Sequence, residues 1–483
     1  MRFTGIPSLA VAALFSVNAS GQQSTGHKQI KELVDRHSEQ YIQTSETIWE
    51  YAEVGYREEK SSTLLQSNLK AAGFRVEASV AGEPTAFIAN YGQGKPVIAI
   101  MGEFDALPGL SQAATPDHSP VVQFAPGHGC GHNLLGAGAA LAAVALKEYM
   151  AANHIAGTLR YYGTPAEEGG SGKVYMIRAG LFRDADVVLH WHPWDENAVI
   201  NGGFLANTSA KFKFHGKAAH AAVAPERGRS ALDAVMLMGT GLEFLREHVA
   251  SNSRIHYIIS NGGAAPNIVP DTAEIHLQAR SPSLPALEQI WARIQKIGEG
   301  AGLMTETTFD VKIIHSSANI VANDALAAVA QKNLEEVGGF HYTAAENRFA
   351  QELQKSLPPD VAGDLSSTAI VQPLRKVDPN APSGSTDAGD VTWNVPSIGF
   401  KTATFVPGVV PHTWQSTASA GMSIGQKGML VAAKALAITG ADLFTNPQLV
   451  QDAKADFDRK LQGRAYKSGI PPGQKPPLDY RKE

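Results

Sequence analysis

The chain has 483 residues, 43% of them hydrophobic, and its 41 lysines and arginines against 46 aspartates and glutamates give a formal net charge of −5. A chain of this length can bury a large core and is long enough for two or more domains. Its charges are spread without a basic block, which argues against nucleic acid or an anionic membrane surface as a partner and leaves small molecules as the expected ligands.

The N-terminus has the pattern of a secretory signal peptide. Arg2 precedes an apolar run that begins at Ile6, and the small residues Val17 and Ala19 are spaced as at a cleavage site. We therefore expect cleavage after Ala19 and an exported protein; the alternative is an apolar, frayed terminus. The run is too short to span a bilayer, and a second apolar stretch, residues 134–146, suits a buried helix, so no transmembrane helix is predicted.

Helices and strands alternate in the first half of the chain. Apolar residues at helical spacing predict two amphipathic helices; three apolar runs of strand length follow, with a Gly/Ala-rich helix between the first and the second. The helices are expected over residues 30–53 and 61–72 and after Asn133, and the strands over 96–101, 158–162 and 187–190. This alternation predicts an α/β fold with a mostly parallel sheet.

A polar cluster lies at the end of each predicted strand. The clusters are residues 102–105 (Gly-Glu-Phe-Asp), 164–168 (Thr-Pro-Ala-Glu-Glu) and 190–193 (His-Trp-His-Pro). Ligands of parallel α/β sheets bind at the carboxyl ends of the strands. The three clusters are therefore expected to form one functional site.

From Phe204 the pattern of apolar residues changes to β-α-β-β-α-β, the order of a ferredoxin-like domain. A helical pattern over residues 323–337 then resumes the first domain, so the second domain is expected to be an insertion. The predicted organisation is a signal peptide (1–19), the main domain in two parts (20–203 and 318–462), the inserted domain (204–317) and a tail (463–483) extended along the surface.

Cys130, the only cysteine, precedes His132 by two residues in a glycine-rich segment. A tight turn there would bring the thiolate and the imidazole to one borderline divalent metal ion such as zinc. Two alternatives stay open: a small buried side chain and a thiol nucleophile activated by the histidine. The two-residue spacing on a glycine-rich turn favours a shared ion.

Glu167 and Glu168 follow the second predicted strand, and His190 and His192 lie at the end of the third, on the same side of an extended backbone. A metallohydrolase needs one carboxylate that binds metal and a second, unligated one that takes a proton from water. The alternatives are a solvated glutamate pair and structural histidines. The residue types around Cys130 favour a metal site.

Four of these segments resemble the metallopeptidases of family M20, and best the amidohydrolase subfamily that includes hippurate hydrolases and indoleacetyl-amino acid hydrolases. The segments are residues 105–108 (Asp-Ala-Leu-Pro), 129–132 (Gly-Cys-Gly-His), 165–170 (Pro-Ala-Glu-Glu-Gly-Gly) and 189–190 (Leu-His). The resemblance runs from about Ile30 to about Thr439. Asn133 stands where the subfamily usually has Asp, and Glu103 replaces the first Asp of Asp-Met-Asp. Both features are similar to the aminobenzoyl-glutamate utilization protein B branch.

The resemblance implies a metal-dependent amidohydrolase that cleaves the linear amide bond of N-acyl or N-aroyl amino acids, such as aminobenzoyl-glutamate-like or hippurate-like compounds. Glu167 would act as the general base on a metal-activated water. The two divalent ions per subunit, zinc or manganese, would be held by Cys130, His132, Glu168, His190 and His412. Alternatives within the same fold are a dipeptidase or aminoacyl-peptidase and a non-catalytic ligand-binding relative.

The resemblance also implies that the inserted domain is a lid through which a homodimer forms. His220 would reach the partner's active site and polarise the substrate carbonyl. Asn267 and Arg280 would bind substrate, and Arg280 would pair with the substrate's carboxylate.

Overall fold

A computed structural model describes residues 9–378, 380 and 383–481, with the backbone alone described for residues 9–24. The first eight residues of the expected signal peptide lie outside the described residues, and its cleavage stays a prediction. From Leu9 the chain is helical as far as Tyr51.

The described residues form twelve α-helices and eleven strands. The strands are β1 Arg75–Ala78, β2 Phe87–Gln93, β3 Val97–Glu103, β4 Gly157–Thr164, β5 Val187–Trp194, β6 Ala198–Ile200, β7 Ala206–His215, β8 Arg254–Asn261, β9 Thr272–Ser281, β10 Thr308–Ser317 and β11 Ser397–Ala403. The helices are α1 Leu9–Tyr51, α2 Glu59–Ala71, α3 His132–Ala152, α4 Gly172–Arg178, α5 Ala231–Arg246, α6 Leu284–Thr305, α7 Asp324–Val337, α8 Ala344–Gln354, α9 Ala388–Thr392, α10 Trp414–Ala420, α11 Ser423–Thr445 and α12 Pro447–Leu461.

The main sheet has seven strands in the order β1-β2-β4-β3-β5-β11-β6. The four central strands β4, β3, β5 and β11 are parallel, and β1, β2 and β6 pair antiparallel at the two edges. Every residue of β3 is buried, as expected for a strand covered on both faces. The sequence prediction of a mostly parallel α/β sheet is confirmed at its centre.

Helices α3 and α11 pack against each other and against the sheet. Both are rich in glycine and alanine, which lets their backbones approach closely. By length and composition both could cross a membrane, but 78% and 83% of their most apolar windows are buried inside the protein. We therefore describe them as core helices of the main domain.

The second sheet is antiparallel, with the order β10-β7-β9-β8. Helices α5 and α6 pack on one face, where alternate residues of β7 and β9 are apolar and buried. The predicted β-α-β-β-α-β insertion is confirmed; its exact limits stay a prediction. The opposite face is polar and points toward the main domain, through Asn207, Ser209, Gln278, Arg280 and His315.

The tail after α12 has no helix or strand in the residues described, yet it does not simply follow the surface. Ile470 is 1% exposed and packs into the core of the inserted domain. Tyr480 and Arg481 reach the cavity between the two domains.

Candidate metal and catalytic site

A cavity of about 1140 Å³ lies between the carboxyl ends of the central strands and the polar face of the inserted domain. Cys130, Glu167, Glu168, His192 and His412 line its floor. The polar clusters that the sequence placed at three strand ends thus meet at one edge of the sheet, as predicted.

A turn at Gly131 positions Cys130 and His132. Gly131 has φ 73°, and a Cβ there would lie 2.8 Å from Pro193, so only glycine fits. His132 begins α3, and its Nδ1 lies 2.9 Å from Asp105 Oδ1, which orients the ring. Cys130 Sγ lies 3.4 Å from His192 Nε2. The shared site predicted for Cys130 and His132 is consistent with this geometry.

The structure places His192, rather than His190, beside Cys130. Both histidines lie on β5 and face the same side, but His190 is two residues further from the carboxyl end and is packed against Gly399, deep in the sheet. The assignment of His190 as a ligand is therefore corrected to His192. Burial lowers the pKa of His192 to about 4, so its ring is neutral at pH 7, the form that binds metal. The signal was present in the sequence as the same-side pair.

Glu167 and Glu168 lie on a strained loop after β4. Ala166 has φ 56°, a left-handed conformation that costs an alanine free energy and is typical of functional loops. Its N–H donates to Glu58 Oε1 at 2.9 Å, and the N–H of Glu168 donates to Asp105 Oδ2 at 2.9 Å. These bonds turn the two adjacent glutamates into the same cavity.

Glu167 has the electrostatic surroundings of a proton acceptor. Enclosure by protein raises its pKa, and the neighbouring carboxylates of Glu168 and Glu103 raise it further. A carboxylate whose pKa moves toward neutrality is better matched to proton transfer at pH 7. This arrangement is consistent with the predicted role of Glu167 as general base.

His412 approaches from the second part of the main domain. Its N–H donates to the carbonyl oxygen of Gly129 at 2.8 Å, which fixes it to the turn that carries Cys130. Its Nε2 lies 3.0 Å from Glu168 Oε1, and its φ of 67° is again left-handed. The structure thus brings the predicted late histidine to the predicted glutamate ligand.

Three groups of side chains in the described residues could each hold a metal ion, with one ligand atom per residue and all ligand atoms of a group within 4.8 Å. They are Cys130, His132 and His192; Cys130, Glu168 and His412; and Glu103, His132 and Glu167.

Ligand atoms in these groups lack hydrogen-bond partners although they are buried. They are Glu103 Oε2, His132 Nε2 and Glu168 Oε1. Unpaired buried polar atoms are costly unless something else contacts them. Sulfur, imidazole and carboxylate donors suit borderline divalent ions. The residues present therefore fit a two-ion centre.

A buried lysine lies beneath the site. Lys173 Nζ lies 2.7 Å from Glu103 Oε1 and 2.6 Å from Asp387 Oδ1, and none of its surface is exposed. Its charge offsets the carboxylates that surround Glu167. The sequence analysis missed this residue, because a lysine at a helix start gives no sign of being buried.

The inserted domain contributes Arg280 to the cavity, as predicted for a substrate ligand. Arg280 is half-buried, and its Nε has no hydrogen-bond partner. His220 and Asn267 behave differently: both are exposed on neighbouring turns of this domain, and neither is among the described residues that line the cavity of their own chain.

Comparison with known proteins identifies the relatives of this chain. Residues 99–437 match the family described as peptidase family M20/M25/M40. The chain is 39% identical to a p-aminobenzoyl-glutamate hydrolase polypeptide of Escherichia coli strain K12, over 92% of this chain and 97% of that protein. It is 32% identical to the mouse Xaa-Arg dipeptidase, over 89% and 92%. A dinuclear metal-binding M20 peptidase of Bacillus subtilis has a similar fold, with a TM-score of 0.58 at 16% identity, covering 85% of this chain and 99% of that one.

Proposed function

Because the chain belongs to peptidase family M20/M25/M40, we propose that it is a metal-dependent amidohydrolase that cleaves the amide bond of N-acyl or N-aroyl amino acids. The observation that carries the proposal is the meeting of Cys130, Glu168, His192 and His412 with the unligated Glu167 on one cavity floor. The name of the Escherichia coli relative, a p-aminobenzoyl-glutamate hydrolase, supports the same reaction class.

Two divalent ions would be held by the two groups that share Cys130. One group adds His132 and His192, and the other adds Glu168 and His412. Bound ions would polarise the amide carbonyl and make water acidic enough to be deprotonated near pH 7. The dinuclear relative from Bacillus subtilis supports two ions. Zinc and manganese both remain proposed metals.

Glu167 would move the proton. It takes one from the attacking water and returns it to the leaving nitrogen, which its raised pKa favours. Cys130 is a poor alternative as a nucleophile, because burial and the nearby Glu168 carboxylate raise its pKa and disfavour the thiolate. A thiolate there requires a positive charge beside it, which a metal ion supplies.

The charge of the cavity supports an acidic amino acid as the leaving group. Apart from Glu167 and Glu168, its walls carry more basic side chains than acidic ones: Arg280, Arg375, Lys376, Lys401 and Arg481 against Glu196 and Asp378. An N-aroyl glutamate would complement this charge. The C-terminal arginine that the name of the mouse dipeptidase implies would be repelled by it, so we favour the aroyl-amino acid substrate.

We also propose a homodimer formed by the inserted domain. Strand β8 is an edge strand with Ile258 and Ile259 exposed, and α5 exposes Met236 and Phe244. An open strand edge and an apolar helix face are surfaces that a second copy could cover. His220, which lies outside the cavity of its own chain, would then be available to the partner.

The test combines metal analysis with a substrate panel. Purified protein should contain close to two equivalents of zinc or manganese, lose activity with a chelator and regain it with the metal. p-Aminobenzoyl-glutamate and hippurate should be hydrolysed faster than dipeptides that end in arginine. Faster turnover of free-amine dipeptides, or activity that survives complete removal of metal, would refute the proposal.

A further inference from the structure

The C-terminal tail follows a defined route from α12 to the catalytic loop. Tyr466 donates to Asp390 Oδ1 at 2.7 Å, and Ile470 is buried in the core of the inserted domain. Gln474 then donates to the carbonyl oxygen of Ile313 on β10 at 3.0 Å, and its own carbonyl accepts from Arg178 at 3.1 Å. The tail is therefore bound to both domains before it reaches the cavity.

Its last described residues contact the loop that carries the two glutamates. Tyr480 Oη donates to the carbonyl oxygen of Glu168 at 3.2 Å, and Arg481 Nη2 donates to the same oxygen. The Tyr480 ring packs edge-on against Tyr56, with centroids 5.8 Å apart. Gly55 makes room for it, since a Cβ at that position would lie 2.2 Å from Tyr480 Oη.

The other polar backbone groups of this loop are held by the body of the main domain. Glu58 accepts from the N–H of Ala166, Asp105 accepts from the N–H of Glu168, and Tyr56 donates to the carbonyl oxygen of Gly170. Among the described residues, the carbonyl of Glu168 receives hydrogen bonds from the tail alone. A buried carbonyl that loses its donors costs free energy.

We propose that Tyr480 and Arg481 are positioning residues of the active site, which hold the loop of Glu167 and Glu168 in its working conformation. The loop needs such support because Ala166 is left-handed, a conformation that persists only where surrounding contacts impose it. The effect on catalysis rests on the proposed hydrolase function; the effect on the loop does not.

The test uses the full chain with four changes: Arg481→Ala, Arg481→Lys, Tyr480→Phe and, as the matched control, Lys475→Ala. Lys475 is an exposed basic residue of the same tail. Hydrogen–deuterium exchange of the peptide covering residues 163–172 measures the loop directly. kcat and KM for p-aminobenzoyl-glutamate measure its consequence, and melting temperature measures global stability.

We expect Arg481→Ala and Tyr480→Phe to speed exchange at residues 168–170 about fivefold or more, as for one lost hydrogen bond. kcat should fall about ten- to a hundredfold in Arg481→Ala, with KM nearly constant, because the general base is misplaced. Arg481→Lys should recover part of both losses, and Lys475→Ala should match the wild type throughout.

Unchanged exchange in both Arg481→Ala and Tyr480→Phe would overturn the proposal, and so would faster exchange with an unchanged kcat. A raised KM with normal kcat and normal exchange would make Arg481 a substrate ligand instead. A fall in melting temperature as large as that in any core variant would make the tail merely structural. If the wild-type protein does not hydrolyse amides, the proposed function fails, and the exchange data alone still decide whether the tail holds the loop.

Discussion

Glu167 and Glu168 are neighbours in the chain but have different surroundings. Glu168 Oε1 lies 3.0 Å from His412 Nε2, and Glu168 belongs to a group of potential metal ligands with Cys130. Glu167 lies near Glu103 and His132 instead, with its pKa raised by burial and by these carboxylate neighbours. One glutamate is placed to bind an ion and the other to exchange a proton.

Replacement of each glutamate by glutamine should separate the two roles. Glu167→Gln should keep nearly normal metal content but lose about 10²–10⁴-fold in turnover, the usual effect of a missing general base. Glu168→Gln should lose metal, which elemental analysis of the purified proteins would detect. Equal loss of metal from both variants would show that the two carboxylates are assigned wrongly.

A second pair of variants tests the corrected histidine. His192→Ala should lower metal content, because the ring lies 3.4 Å from Cys130 Sγ. His190→Ala should retain its metal, since that ring is buried against Gly399 below the site. Metal content is compared at a temperature at which circular dichroism shows both variants folded. Metal loss in His190→Ala with none in His192→Ala would restore the original assignment.

At this scale the sequence predicted residue types well and depth poorly. Cys130, His132, Glu168 and His412 meet as expected because their motifs end at strand or turn positions that face one cavity. The choice between His190 and His192 depends on how far along β5 the neighbouring turn lies, which no local pattern encodes. Arg481 was missed because a Pro- and Lys-rich tail has no periodicity from which its endpoint follows.

Among the helices, α8 is fixed to α11 by a single buried carboxylate. Glu346 completes a capping box with Thr343, and it also accepts from Ser423 and Lys427 at 2.7 and 2.6 Å. Burial alone would raise its pKa, but the hydrogen bonds from Lys427, Thr343 and Ser423 outweigh burial and lower the pKa to about 2. The ionised form is therefore stabilised by folding.

This contact makes the stability depend on pH in a defined window. Because its folded pKa lies below its unfolded value of 4.5, Glu346 stabilises the protein fully above about pH 5, and this contribution is lost as pH falls from there toward 2. Glu346→Gln should cost about 1–3 kcal/mol of unfolding free energy at pH 7 and progressively less toward pH 2. Urea unfolding of metal-free protein measures it.

The control for this measurement is Glu352→Gln, an exposed glutamate on the same helix. It should change the unfolding free energy by less than about 0.5 kcal/mol at every pH. A loss in Glu346→Gln that stays constant from pH 7 to pH 2 would mean that packing, rather than the charge, fixes the two helices.

Elements with a strong period were predicted, and those without one were not. The six elements of the inserted domain follow the expected order because alternating strands and amphipathic helices both leave a clear pattern. Strands β1 and β6 are short edge strands, and β11 joins the sheet beside β5 from a distant part of the chain. Their pairing depends on tertiary context that the local sequence does not contain.

For the whole molecule, the proposed dimer predicts complementation between two inactive chains. When Glu167→Gln and His220→Ala proteins are mixed and exchange subunits, about half of the dimers are mixed, and each mixed dimer has one site with both groups intact. Activity should recover to roughly a quarter of the wild-type value. No recovery, after exchange is proven by mass spectrometry, would place His220 in its own site or outside catalysis.

Cys130, finally, gives the enzyme a built-in reporter. It is the only sulfhydryl in 483 residues, and it lies on the cavity floor, 6% exposed. Any alkylating reagent, fluorophore or spin label that reacts with the thiol of the native chain therefore marks the catalytic centre and nothing else. The stoichiometry of labelling counts vacant centres, so one titration on unmodified protein reads out site occupancy without engineering a cysteine-free background.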